Sequence, residues 1–223
     1  MRPMEPTDIL GNIKLYNADC MEVMKTFKDK QFDLAIVDPP YFDGPQKQGY
    51  YAGTKQRTNV GEYKKIDEWN PVDSVYIKEL LRISKNQIIW GINYFDVSMP
   101  GGRIVWVKGV ENSPFSMCDI AYHSFYKRID LFKYLWSGYW QENMKNKELR
   151  IHPTQKPVQL YKWLLQNYAK EGDTILDTHF GSLSIGIACH DMKFDLTAIE
   201  LDADYYEQAK QRLIYHQRQL TLF

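Results

Sequence analysis

Five short apolar runs, at 32–37, 87–92, 103–107, 174–176 and 196–199, set the architecture this chain can adopt. Several are nearly continuous in apolar residues rather than alternating, as expected of strands covered on both faces. Helical patterns lie between and after them. Ile77, Leu80 and Leu81 follow i, i+3, i+4 spacing, and Tyr205, Ala209 and Leu213 form a second stripe. Pro157 is placed to open a helix whose apolar face carries Leu160, Trp163, Leu164 and Tyr168. Strands alternating with helices predict an α/β fold with a central, mostly parallel sheet flanked by helices. Such a sheet binds ligands beyond the carboxyl ends of its strands, so function is sought in the residues just after each run.

The 223 residues suit one domain spanning 1–223, and 44% hydrophobic with 25% charged residues is ordinary for a globular chain. No run is long and apolar enough to span a bilayer, and Met1-Arg2-Pro3-Met4-Glu5-Pro6 lacks the apolar core of a signal peptide. A cytoplasmic location with no membrane partner is expected. Cys20, Cys118 and Cys189 are far apart, which argues against a disulfide framework or structural zinc, and the histidines show no metal-ligand spacing. Lys plus Arg equal Asp plus Glu at 28 each, which argues against broad, non-specific polyanion binding but allows local basic patches. Residues 42–65 hold five basic side chains against two acidic ones, and 126–150 hold six against three; both are rich in aromatics. The polar interruption 42–70, with Gly44, Gly49, Gly53 and Gly61, has the length of a loop that binds something or is disordered.

The run at 32–37 ends in Asp38-Pro39-Pro40-Tyr41. Two prolines fix two φ angles, stop the strand and leave carbonyl acceptors without an intervening N–H. With the Asp38 carboxylate and the flat Tyr41 ring, this suits an aromatic amine, whose amino hydrogens need acceptors while its ring stacks. A strand-ending turn in which Asp38 only caps the backbone is the alternative.

Here the chain resembles the amino-methyltransferases of DNA, whose signature is Asp/Asn/Ser-Pro-Pro-Tyr/Phe/Trp. Thr174-Ile175-Leu176-Asp177 followed by Thr178-His179-Phe180-Gly181-Ser182-Leu183-Ser184 is similar to the family's strand and cofactor loop, usually Asp-x-Phe-x-Gly-Ser-Gly. Glu200 comes 23 positions after Asp177, close to the separation of a ribose-binding acid from a nucleoside-binding loop. Tyr16-Asn17-Ala18-Asp19-Cys20-Met21 resembles the segment whose acid meets the cofactor's adenine, while Asp19 also reads as the N-cap of a helix through Phe27. His152-Pro153-Thr154-Gln155-Lys156-Pro157 resembles a segment of polar contacts around the methionine moiety. Trp90 to Phe95 and Ile104 to Lys108 match structural segments. With the catalytic motif first and the cofactor loop last, the order is the permuted, beta-class arrangement, and the likeness covers nearly the whole chain.

The resemblance implies a Rossmann-like methyltransferase fold using S-adenosylmethionine. It places Asp38, Pro39, Pro40 and Tyr41 at the catalytic centre. It places Asp19, His152, Thr154, Lys156, Asp177, Phe180, Gly181, Ser182, Ser184, Glu200 and Leu201 at the cofactor. The expected reaction transfers a methyl group to the exocyclic amine of a flipped base in DNA, N6 of adenine being favoured because the signature begins with Asp. N4 of cytosine, RNA adenine and a catalytically silent binding subunit are the alternatives. A nicotinamide enzyme is disfavoured, since no Gly-x-Gly-x-x-Gly comes after the first strand. Two departures stand out. Leu183 replaces a glycine, a costly change if φ there is positive. Thr178-His179 replaces a Pro-Phe or Pro-small pair, with His179 read as a packing or hydrogen-bonding residue rather than a base. Segments 42–70 and 126–150 are the expected nucleic-acid-binding elements, and the shortness of the second leaves room for a homodimer or partner subunit.

Overall fold

The computed structural model describes residues 4–40, 71–109, 116–137 and 140–219. Tyr41, segment 42–70 with its basic residues, and Tyr139 lie outside them. An antiparallel pair, β1 (Asp8–Leu10) and β2 (Ile13–Asn17), is followed by α1 (Cys20–Met24) and β3 (Phe32–Val37). Helix α2 (Ser74–Ile83) runs directly into β4 (Ser84–Trp90), and a 3-10 turn at Ile92–Tyr94 precedes β5 (Gly102–Val107). Then come β6 (Cys118–His123), β7 (Ile129–Lys133) and the two-residue strands β8 (Trp136–Ser137) and β9 (Trp140–Gln141). The remainder alternates through α3 (Val158–Tyr168), β10 (Thr174–Asp177), α4 (Ser184–Met192), β11 (Asp195–Glu200) and α5 (Ala203–Arg218).

Nine strands form one sheet in the order β1-β2-β11-β10-β3-β4-β6-β5-β7. β2, β11, β10, β3 and β4 are parallel, β6 is antiparallel between β4 and β5, and β7 is parallel to β5. This is the α/β fold with a mostly parallel sheet. The unbroken apolar runs have a direct cause. In β3, Leu34 and Ile36 join the core under α3 and α4, while Ala35 and Val37 join the core with α1 and α2. The same split divides Ile88 and Trp90 from Ile89, and Ile175 from Leu176. Both faces are covered, so both parities must be apolar.

All five apolar runs form strands; the run 32–37 matches β3 at both ends and the other four have shifted ends. β4 starts three residues earlier than its run because its polar residues are satisfied internally. Ser84 Oγ donates to the Leu80 carbonyl at 2.6 Å and Gln87 Nε2 to the Ser84 carbonyl at 2.9 Å. It stops at Trp90 because Gly91 takes φ 71, the left-handed region glycine tolerates. Helix α1 ends at Met24, short of Phe27, with Asp19 as its N-cap accepting from the Met21 N–H at 2.7 Å. Segment 126–150 is not wholly an insertion, since β7 extends the main sheet at its edge. Its outward Ile129 and Leu131 are exposed, which explains why its pattern does not read as a buried strand.

Candidate active site

Neighbouring strands β11, β10 and β3 are parallel; the first two end at Glu200 and Asp177, and Asp38 directly follows the end of β3. Only parallel neighbours put three C-terminal residues at one sheet edge, so the convergence comes from topology. Asp38 and Glu200 both push the Asp177 carboxyl up, adding to the larger effect of its burial, and together they hold it at about 8. Burial also raises Asp38 and Glu200. An edge of such carboxyls favours a cationic ligand.

Asp38 is held by Lys156, whose Nζ donates to Oδ2. Asp38 Oδ1 is buried and has no hydrogen-bond partner among the described residues. The Pro40 carbonyl accepts from the Val72 N–H at 3.1 Å, anchoring the segment that enters α2. Lys156, which the resemblance places among the methionine-end contacts, thus also lies on the Asp-Pro-Pro motif.

The loop after β10 is fixed from several sides. Asp177 Oδ1 accepts from the His179 N–H at 3.0 Å, and the Phe180 N–H donates to the Ile199 carbonyl at 3.0 Å. Gly181, at φ 49, donates its N–H to Glu200 Oε2 at 2.9 Å, while Glu200 Oε1 accepts from the Asp202 N–H at 3.0 Å. The His152 ring lies over Gly181, 3.5 Å from where a Cβ would stand, and accepts at Nδ1 from the Thr154 N–H at 3.3 Å. Burial lowers His152 to about 3, so it is a neutral ring at physiological pH. Ser182 and Ser184 lie with their hydroxyls 3.1 Å apart, and Leu201 is exposed.

Both departures from the family pattern have structural explanations. Leu183 does adopt positive φ, 55, and is fully buried. Gly186 makes room for it, since a Cβ there would come within 2.6 Å of Leu183 Cγ. His179 belongs to a partly buried polar chain: Tyr76 Oη to Thr178 Oγ1 at 2.6 Å, Thr178 Oγ1 to His179 Nδ1 at 3.0 Å, and His179 Nε2 to Cys20 Sγ at 3.6 Å. Burial lowers His179 to about 4 and raises Cys20 to about 12, so neither is charged near neutral pH. The chain ties the loop after β10 to α1 and α2.

Sequence reasoning missed Arg212 and Glu148. Arg212 donates to the Ser182 carbonyl at 2.8 Å and Ser184 Oγ at 3.0 Å, and pairs with Glu148 at 2.9 Å. Glu148 also accepts from the Val158 N–H at the start of α3 at 2.9 Å. A signal existed: Arg212 lies seven residues after Tyr205 and three after Ala209, on the buried stripe of α5.

A family model described as DNA methylase matches residues 105–211. The chain is 26% identical over 248 residues to the type II methyltransferase M2.MboI of Moraxella bovis, covering 92% of this chain and 88% of that protein. Among solved structures it resembles the M1.HpyAVI–SAM complex, with TM-score 0.55, 20% identity and coverage of 90% and 100%. It also resembles PvuII DNA methyltransferase, described as cytosine-N4-specific, with TM-score 0.60, 10% identity and coverage of 100% and 92%.

Proposed function

We propose that this chain, a member of the N6/N4 DNA methylase family that uses S-adenosylmethionine, methylates N6 of adenine in DNA. The observation that carries the reading is the bare, buried Oδ1 of Asp38 beside Pro39 and Pro40, at the edge where Asp177 and Glu200 converge. An acceptor buried without a partner costs about 1–3 kcal/mol, which a donor on a ligand recovers. An exocyclic amine supplies that donor.

The acid-lined edge fits the cofactor's two positive charges, an ammonium and a sulfonium. When bound, S-adenosylmethionine supplies an electrophilic methyl group. Asp177, with Phe180, Gly181, Ser182 and Ser184, would hold its amino-acid end beside His152 and Thr154. Glu200 with Leu201 would hold the ribose, and Asp19 would lie near the adenine. Glu200 keeps a second lone pair on each oxygen beyond its backbone bonds. Asp38 Oδ1 and the Pro39 carbonyl accept the target amine's two hydrogens, which favours a tetrahedral nitrogen with its lone pair free. Tyr41 is assigned to stack on the base, worth about 1–3 kcal/mol. Positioning provides the rate gain, and the proton leaves after transfer. Adenine is preferred because the motif begins with Asp.

The test is transfer of labelled methyl to DNA by wild type and Asp38→Ala, followed by nucleoside analysis. N6-methyladenine that disappears in the variant is expected. N4-methylcytosine would overturn the choice of base, and absence of transfer despite cofactor binding would overturn the reading.

A further inference from the structure

Lys156 and Asp38 meet across 118 positions of sequence, and their side chains are only 4% and 15% exposed. Such a pair contributes little net stability, because desolvation offsets its Coulomb attraction. Its asymmetry points to a purpose. Oδ2 takes the ammonium, while Oδ1 is buried and bare. The ammonium lies 5.5 Å from the Trp90 ring centroid. The preceding turn is locked: Trp136 Nε1 donates to the Gln155 carbonyl at 2.8 Å, and Gln155 Oε1 accepts from the Ile151 N–H at 2.9 Å. The cation is therefore held by a rigid frame and fixes the carboxylate in turn.

We infer that Lys156 is a positioning residue for methyl transfer, turning Asp38 so that Oδ1 faces the target amine and keeping that carboxyl an acceptor. The inference rests on the amine-methylation reading for its purpose, whereas the ion pairing is independent of it. A protonated Asp38 would present an O–H to the amine's lone pair, the electrons that must attack. The groups acting on Asp38 come from several elements. Lys156 precedes α3, the pair at 2.7 Å joins Lys108, just after β5, to Asp119 on β6, and Asp177 ends β10. Tyr76 on α2 and Tyr161 on α3 also sense its charge. Burial raises the Asp38 carboxyl and Lys156 opposes it most strongly, while Asp119 and Lys108 act in opposite directions. Burial is the larger effect even with Lys156 present, so removing Lys156 raises the Asp38 carboxyl further.

The experiment compares wild type with Lys156→Met, Lys156→Arg, Asp38→Asn and Lys156→Met/Asp38→Asn, measuring kcat and KM against pH. Lys156→Met should lower kcat at pH 7 about 10–100-fold and move its acid limb up by about 1–3 pH units, as loss of an adjacent cation does to a carboxyl. KM for S-adenosylmethionine should stay within about threefold, and Lys156→Arg should restore the limb. In the Asp38→Asn background, removing Lys156 should cost less than about threefold, because an amide needs no counter-ion. A tenfold rise in that KM with an unmoved kcat profile, or equal losses in both backgrounds, would overturn the inference. If Lys156→Met does not fold, Lys156→Gln, which keeps a donor but no charge, must show the same limb shift. The carboxyl carbon-13 shift of Asp38 provides a readout without activity. Ionised at pH 7 in wild type and protonated in the variant supports the pairing; the same state in both overturns it. Wild type that transfers no methyl would sink the proposed function alone.

Discussion

Replacing Asp177 with Asn tests whether the acid edge is built for a ligand at the expense of the fold. Asp177 is 1% exposed, and burial, reinforced by Asp38 and Glu200, raises its carboxyl from 3.8 to about 8. The folded state therefore keeps a proton that the unfolded chain releases above about pH 4. Stability from this group is full below the unfolded value and falls as pH rises toward 8, by about 1.4 kcal/mol per pH unit. At pH 7 the loss reaches about 4 kcal/mol, and at pH 5 it is under about 2 kcal/mol. Asn carries no proton to lose, and its carbonyl can still accept the His179 N–H that Asp177 Oδ1 takes. Asp177→Asn should accordingly be more stable at pH 7 by up to about 4 kcal/mol, with the advantage shrinking toward pH 5. Urea unfolding of both proteins at pH 5, 6 and 7 measures this directly. At roughly 2–4 °C per kcal/mol for a chain this size, the difference is also visible in Tm. A pH-independent difference, or a less stable variant, would refute the reasoning. If the cofactor's ammonium occupies this edge, binding to wild type should release a proton and tighten as pH rises toward 8, and the variant should lose both properties.

Leu183→Gly sets backbone relief of about 1–2 kcal/mol against loss of a fully buried leucine, about 2–5 kcal/mol. The variant should be destabilised by about 2–3 kcal/mol in urea, and stability equal to wild type would show that strain dominates. Arg212→Met leaves Glu148 without its ion pair and frees the loop after β10, so a loss of about 2–3 kcal/mol is expected. Adding Glu148→Gln should recover more than half of it in the same assay; additive losses would exclude the ion pair as the cause. Charge reversal at Lys55 and Arg57 should weaken DNA binding and flatten its salt dependence, and unchanged binding would remove that segment from the interface.

The sheet's parallel centre and its three terminal acids were determined by the sequence itself, because two-sided burial and strand termination are local. A run such as Leu34 to Val37 must be apolar at every position when helices cover both faces, and Pro39 and Pro40 must end it wherever it lies. The N-cap at Asp19 and the start of α3 at Val158 are equally local, each set within one helical turn. Only the tertiary structure decided how distant segments pair. The hydrogen bonding that sets β6 antiparallel between β4 and β5, and β7 beyond them, leaves no single-strand period that predicts it. The same is true of the buried charges. Lys156 reads from sequence as a contact of the cofactor's methionine end until chain crossover brings it against Asp38, and the buried stripe of α5 that carries Arg212 does not tell that Glu148 and the Ser182 carbonyl are its partners. A buried ion needs its partner in space, and the partner's position along the chain is set by topology rather than by local pattern.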